Sequence, residues 1–141
     1  MSRPSPAQGS ATPPISARLR VLIADDDDLV REELRGYLEG EGLEVVASVP
    51  DGLQAFEQSA WLHPDVVLMD LHMPNMDGIA ATSIITSHSP DVPVVVLTAF
   101  AERDNRWASQ LAGAASFLDK SAPMPDLVEA LRAAVRGARD R

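Results

Sequence analysis

The chain has 141 residues, which accommodates one domain with a real hydrophobic core and leaves little room for a second. Apolar residues make up 45% and charged residues 23%, and the formal net charge of −9 argues against a bare nucleic-acid-binding domain, because phosphate contacts need a basic face. The absence of cysteine excludes disulfides, thiolate zinc sites and cysteine nucleophiles.

Residues 1–17, MSRPSPAQGSATPPISA, hold four of the eleven prolines among Ser, Ala and Gly. Such a composition cannot bury enough apolar surface to offset ordering entropy, so a disordered leader is expected there. It also lacks the apolar centre of a secretory signal, and no run approaches the ~20 apolar residues of a membrane helix. A cytoplasmic protein without membrane contact is the expectation. Residues 18–138 read as the single folded domain and 139–141 as a tail.

Short apolar runs then alternate with longer amphipathic ones. Residues 19–24 form a first strand ending in acid. Leu29, Val30, Leu34, Tyr37 and Leu38 recur at helical spacing across 29–39, with Asp28 placed as N-cap and Gly40 and Gly42 as the stop. A second strand is expected at 44–49 and a second helix at 52–61, opened by Asp51. The third strand, 65–69, is almost wholly apolar, as a strand covered on both faces should be. Helix three is expected at 78–87, strand four at 94–97, helix four at 102–112 and strand five at 116–118. Helix five begins near Pro123, where proline fits a first turn, and runs to about Gly137. Five βα units of this kind imply a doubly wound α/β fold, a five-stranded parallel sheet in the flavodoxin-like order 2-1-3-4-5 with right-handed crossovers.

Function in such folds sits at the carboxyl ends of the strands. Strand one runs into Asp25, Asp26, Asp27 and Asp28, strand three into Asp70, strand four into Thr98 and strand five into Lys120. Strand two ends blandly in Pro50 and Asp51. Lys120 is the only lysine among twelve basic residues. Arginine serves surface salt bridges as well, so one retained compact ammonium points to a specific task.

Three crowded carboxylates disfavour joint ionisation, and a divalent cation relieves this. Few protein ligands, all oxygen, suit Mg²⁺, with Asp26 and Asp70 as direct ligands and Asp25 acting through water. Asp27 and Asp28 are better placed to begin the helix. An aspartate can attack phosphorus to form an aspartyl-phosphate. The transferring group's oxygens then need counter-charge and donors, which Lys120, Thr98 and the cation supply. Singly, four aspartates read as a solvated loop and Asp77-Gly78 as a turn; the coincidence of strand ends outweighs these readings.

Across residues 19–137 the chain resembles the receiver domain of bacterial two-component response regulators. The matching segments are RVLIADDDDLVREELRGYL, PDVVLMDLHMPNMDG, VPVVVLTA and GAASFLDKSAPMPDLVEAL. Their wording is closest to the NarL/FixJ subfamily, which usually carries a LuxR-type helix-turn-helix. The resemblance implies Asp70 as phosphoacceptor, Asp25 and Asp26 as the acidic pair, Thr98 as switch hydroxyl and Lys120 as the motif lysine. It also implies the backbone carbonyl of His72 as a further metal ligand and Phe117 as the switch aromatic, here without a tyrosine hydroxyl. A sensor histidine kinase or phosphotransfer protein is the implied donor, and rearrangement around helix four and strand five the implied response. Phosphorylation-linked homodimerisation fits this reading, while direct nucleic-acid binding by this chain is not expected. Because the chain stops just after helix five, it reads as a receiver acting alone or lacking its DNA-binding output domain.

Three other readings fit the residues less well. A Mg²⁺-dependent phosphohydrolase with an Asp70 nucleophile commonly has a second acid two residues on, where this chain has His72. A receiver binding partners without phosphorylation would have no need to keep the full acid, threonine and lysine set. A flavin-binding relative should have a Ser, Thr and Gly-rich loop after strand one rather than four aspartates.

Phe100, two residues past Thr98, should shield an aspartyl-phosphate from water. The phosphorylated form should therefore decay more slowly in wild type than in Phe100→Glu, and equal lifetimes in a decay assay would sink this reading.

Overall fold

The computed structural model describes residues 18–99 and 103–140. The 1–17 leader, Phe100, Glu102 and Arg141 lie outside the described residues. Ten elements alternate along the chain: β1 (Arg20–Ala24), α1 (Asp28–Gly40), β2 (Glu44–Val49), α2 (Gly52–Leu62), β3 (Val66–Met69), α3 (Gly78–His88), β4 (Val94–Thr98), α4 (Arg103–Leu111), β5 (Ser116–Asp119) and α5 (Met124–Arg139). All five strands are parallel, in the order β2-β1-β3-β4-β5. The expected α/β architecture is the observed one.

The strands are apolar throughout because helices cover both faces of the sheet. Alternate residues feed two separate cores. Val21, Ile23, Val66, Leu68 and Val95 pack with Leu34 and Leu38 of α1 and with Leu127 and Leu131 of α5. Leu22, Ala24, Val67, Met69, Val94 and Val96 pack on the opposite side with Ala55 of α2 and with Ala81 and Ile85 of α3. Each fully buried Leu or Ile contributes about 1.5–3 kcal/mol, so these two layers fix the strand register on which the site depends.

Several boundaries shift in informative ways. The N-cap of α1 is Asp27, not Asp28: Asp27 has extended backbone, and its carboxylate accepts from Leu29 N at 2.9 Å and Val30 N at 3.2 Å. Asp28 is the first helical residue and pairs with Arg31. At the other end α1 runs through Gly40, and Gly42 takes the left-handed conformation at φ +90° that turns the chain into β2. Helix α5 continues past Gly137 to Arg139, whose guanidinium lies 3.7 Å from Asp65.

Register brings the strand ends level. Ala24 stands opposite both Val49 and Met69, Met69 opposite Val96, and Thr98 opposite Asp119. One residue further on, Asp25 and Asp70 emerge side by side, with Lys120 following Asp119 at the end of β5. Backbone bonds continue across the rim, from Asp25 N to Val49 O at 3.0 Å, Asp70 N to Ala24 O at 2.9 Å and Lys120 N to Thr98 O at 2.9 Å.

Candidate phosphoacceptor site

Asp25 and Asp70 are almost fully buried at this rim, Asp26 is exposed and Lys120 is partly covered. Their chemistry converges. Asp25, Asp26 and Asp70 each offer an oxygen within 4.8 Å of the others. Lys120 Nζ donates to Asp25 Oδ2 at 2.6 Å and lies 3.6 Å from Asp70 Oδ2. The buried Thr98 hydroxyl hydrogen-bonds to the Asp70 carboxylate, and Leu71 N donates to Asp70 Oδ1 at 2.9 Å. The five side chains anticipated at the strand ends therefore belong to one site.

One ammonium against three carboxylates leaves two negative charges, the charge of one divalent cation. Burial pushes the Asp70 carboxyl above its ordinary value; the nearby Lys120 opposes this, and the Asp25 charge adds to it. For Lys120 burial works against the charged form, but the bond to Asp25 and the charges of Asp70 and Asp25 win, and its pKa rises. That lysine stays cationic, and its stabilising contribution is lost only as pH climbs through its raised pKa. An all-oxygen, partly solvated donor set with two surplus negative charges fits Mg²⁺, which keeps several waters.

Asp25 has every polar group engaged. Its N–H donates to Val49, Oδ1 accepts from Asp27 N at 2.9 Å, Oδ2 takes Lys120, and its carbonyl accepts from Arg31 Nη1 at 2.6 Å. This suits a remote, water-mediated role better than direct ligation. Asp27, spent on the helix N-terminus, and Asp28, held by Arg31, stand outside the acidic cluster. His72 is exposed in the loop after β3, two residues beyond Asp70.

Phe117 lies on β5 opposite Val96, partly buried against the core on the α2/α3 side of the sheet. The Arg106 guanidinium from α4 covers its ring, 4.8 Å from the centroid.

Asp51 opens α2 as expected, and it does more than that. Asp51 is buried, caps α2 by accepting from Gln54 N at 2.8 Å, and accepts from Asn75 Nδ2 at 2.8 Å. Beside it Gly52 N donates to Met76 O at 2.9 Å, and a Cβ on Gly52 would lie 2.0 Å from that oxygen. The loop between Asp70 and α3 is thus latched to the end of β2. Gly78 closes its other side: Gly78 N donates to Leu71 O at 2.9 Å, and a Cβ there would lie 2.0 Å from the Asp70 carbonyl oxygen. The only sequence signal was the pair Asp51-Gly52 and the turn-former Asn75, which sits at φ +67°. Their meeting across 24 residues is a tertiary fact.

A sizeable cleft lies elsewhere. It measures about 640 Å³, is walled by Pro93, Ala115 and the small residues of α5 at the opposite end of the strands, and holds no charged group.

The family model for the response regulator receiver domain matches residues 21–132. The transcriptional regulatory protein PdtaR of Mycobacterium tuberculosis is 43% identical over 121 residues, covering 86% of this chain and 58% of that protein. The chain thus spans less than two thirds of that longer relative. Among solved structures, a LuxR-family two-component response regulator from Aurantimonas superposes with TM-score 0.81 at 30% identity, covering 85% of this chain and 86% of that one. The BeF3-activated receiver domain of Klebsiella pneumoniae RstA gives TM-score 0.77 at 29% identity, covering 83% and 98%. Among the described residues no helix is long and apolar enough to cross a membrane.

The raised Asp70 pKa has a sign that can be tested. An ionised buried carboxylate costs stability once pH exceeds the unfolded value of 3.8. Asp70→Asn removes that cost, so the metal-free variant should melt above wild type at pH 7, by roughly 4 °C per kcal/mol relieved. The difference should shrink as pH falls towards 3.8. Thermal melts with chelator across that range check it; a variant melting below wild type at pH 7 would refute it.

Proposed function

The chain belongs to the response regulator receiver family of two-component signalling, and from that premise we propose that Asp70 accepts a phosphoryl group from a sensor histidine kinase or phosphotransfer protein. The observation that carries this reading is the convergence of Asp25, Asp26, Asp70, Thr98 and Lys120 at one rim of the sheet.

An Asp70 carboxylate oxygen attacks phosphorus while the P–N bond of the donor phosphohistidine breaks, its electron pair staying on the imidazole nitrogen. Burial strips Asp70 of bulk water, so its oxygens are oriented by Leu71 N–H and Thr98 rather than by solvent. Lys120, already 3.6 Å from Asp70, holds its ammonium where the incoming oxygens gather negative charge. Asp26, Asp70 and the His72 carbonyl would hold Mg²⁺, with Asp25 supporting it through water, and the bound ion would supply further positive charge to those oxygens.

The switch follows from the same contacts. A phosphoryl oxygen offers the Thr98 hydroxyl a better acceptor than the carboxylate it now meets. Moving Thr98 alters the packing beside Phe117, one strand away, and so the surface around α4 and β5. Phe117 answers by packing alone, since it has no hydroxyl. The output is a changed protein-interaction surface, delivered by the receiver alone or through a DNA-binding domain of a longer protein. No turnover of an external phosphoester is part of the reading, for His72 stands where the phosphohydrolase pattern places its second acid.

Acetyl phosphate with Mg²⁺ should add one phosphoryl group to the wild-type chain, read by intact mass. The gain should vanish without Mg²⁺ and in Asp70→Asn. Absence of labelling with acetyl phosphate and with histidine-kinase donors alike would instead favour a receiver that works by binding alone.

A further inference from the structure

Arg31 lies outside the set of strand-end residues, yet it touches the site's backbone. It projects from the first turn of α1, and its side chain is only 16% exposed. One arm of its guanidinium, Nη1, donates to the carbonyl of Asp25 at 2.6 Å. The other, Nη2, donates to the carboxylate of Asp28. The fork therefore spans the tetra-aspartate turn from its first residue to its last.

We infer that Arg31 is a positioning residue, a clamp that holds the Asp25–Asp28 turn in the shape that presents Asp26 and Asp25 to a divalent cation. This rests on the Mg²⁺ reading of the site given above.

The alternatives differ in sign. The Asp28 carboxylate is 88% exposed, so the ion pair itself is solvent-screened and contributes little to stability. A guanidinium acting only as a nearby positive charge would repel Mg²⁺, and its removal would tighten binding. A guanidinium acting as a clamp does the opposite: without it the turn between β1 and α1 loses its tie from the helix to the Asp25 carbonyl, and ligands must be ordered at the moment of binding. Two features favour the clamp. The carbonyl bond is short and part-buried, and the guanidinium is itself paired with Asp28. Lysine cannot stand in for it, because a single ammonium on a flexible stem lacks the planar fork that reaches two acceptors in fixed geometry.

The test is calorimetric titration of metal-free protein with Mg²⁺ alone, for wild type, Arg31→Ala and Arg31→Lys, with thermal melts of each. Arg31→Ala should bind Mg²⁺ roughly tenfold more weakly, the range seen when groups supporting metal ligands are lost. Arg31→Lys should also bind more weakly than wild type despite its unchanged charge. At saturating Mg²⁺, acetyl phosphate labelling of both variants should return to near the wild-type rate, because the reacting groups themselves are intact. Should Arg31→Ala fail to fold, Arg31→Lys decides the matter: affinity equal to wild type overturns the clamp. Tighter binding by Arg31→Ala overturns it too and makes Arg31 a charge only. Lower melting temperature with unchanged Mg²⁺ affinity reduces Arg31 to a support of α1 and also overturns it. If wild type itself binds no Mg²⁺, the failure lies with the reading of the site rather than with Arg31.

Discussion

A single ammonium between two buried carboxylates governs this molecule. Asp25 and Asp70 emerge from adjacent parallel strands, where water cannot solvate them well, and Lys120 reaches both. Taking ionised carboxylates out of water is costly, and removing the ammonium from such a cluster would leave two buried charges uncompensated. The sheet accepts this cost at the rim that a parallel α/β fold naturally opens to ligands. Because one lysine cannot neutralise Asp25, Asp26 and Asp70 together, the site keeps a standing attraction for a divalent cation.

Everything around the cluster serves to hold it still. Two apolar layers set strand register to within a residue, and a slip of one would turn Asp25 or Asp70 to the other side. The loops beyond the strand ends are then tied by groups with no direct part in the chemistry. Asp51 and Gly52 latch the loop that follows Asp70, and Gly78 lets the start of α3 approach the Asp70 carbonyl. Arg31 ties the aspartate turn from the helix side. On the remaining flank Phe117 rests under Arg106 on α4, the helix with the least burial of its own apolar residues, for Trp107 and Leu111 point outward.

Much of this was legible in the chain itself, for identifiable reasons. Continuous apolar runs such as VVLM and VVVLT can only be strands covered on both faces, and that alone settled the sheet class. Their common polarity then placed Asp25, Asp70, Thr98 and Lys120 on one edge. Adjacent residues of equal capping ability were harder to separate. Asp27 and Asp28 are equally good caps, and only backbone geometry chose the first. Asp51 read only as the opening of α2, because its second partner, Asn75, lies in another loop. Arg31 read as one polar position of an amphipathic helix, since a bond from a side chain to a carbonyl six residues back leaves no periodic mark. Trp107 and Leu111 show the converse, an apolar pair one helical turn apart that faces solvent.

The most direct test of the central claim is a crystal structure of the chain grown with Mg²⁺ and beryllofluoride, a phosphoryl mimic. The account predicts the beryllium group on an Asp70 carboxylate oxygen, with Lys120 Nζ and the Thr98 hydroxyl turned onto its fluorides and the cation on Asp26 and Asp70. A structure that leaves Asp70 unmodified and still bonded to Thr98, or places the group or the cation away from this rim, would contradict it.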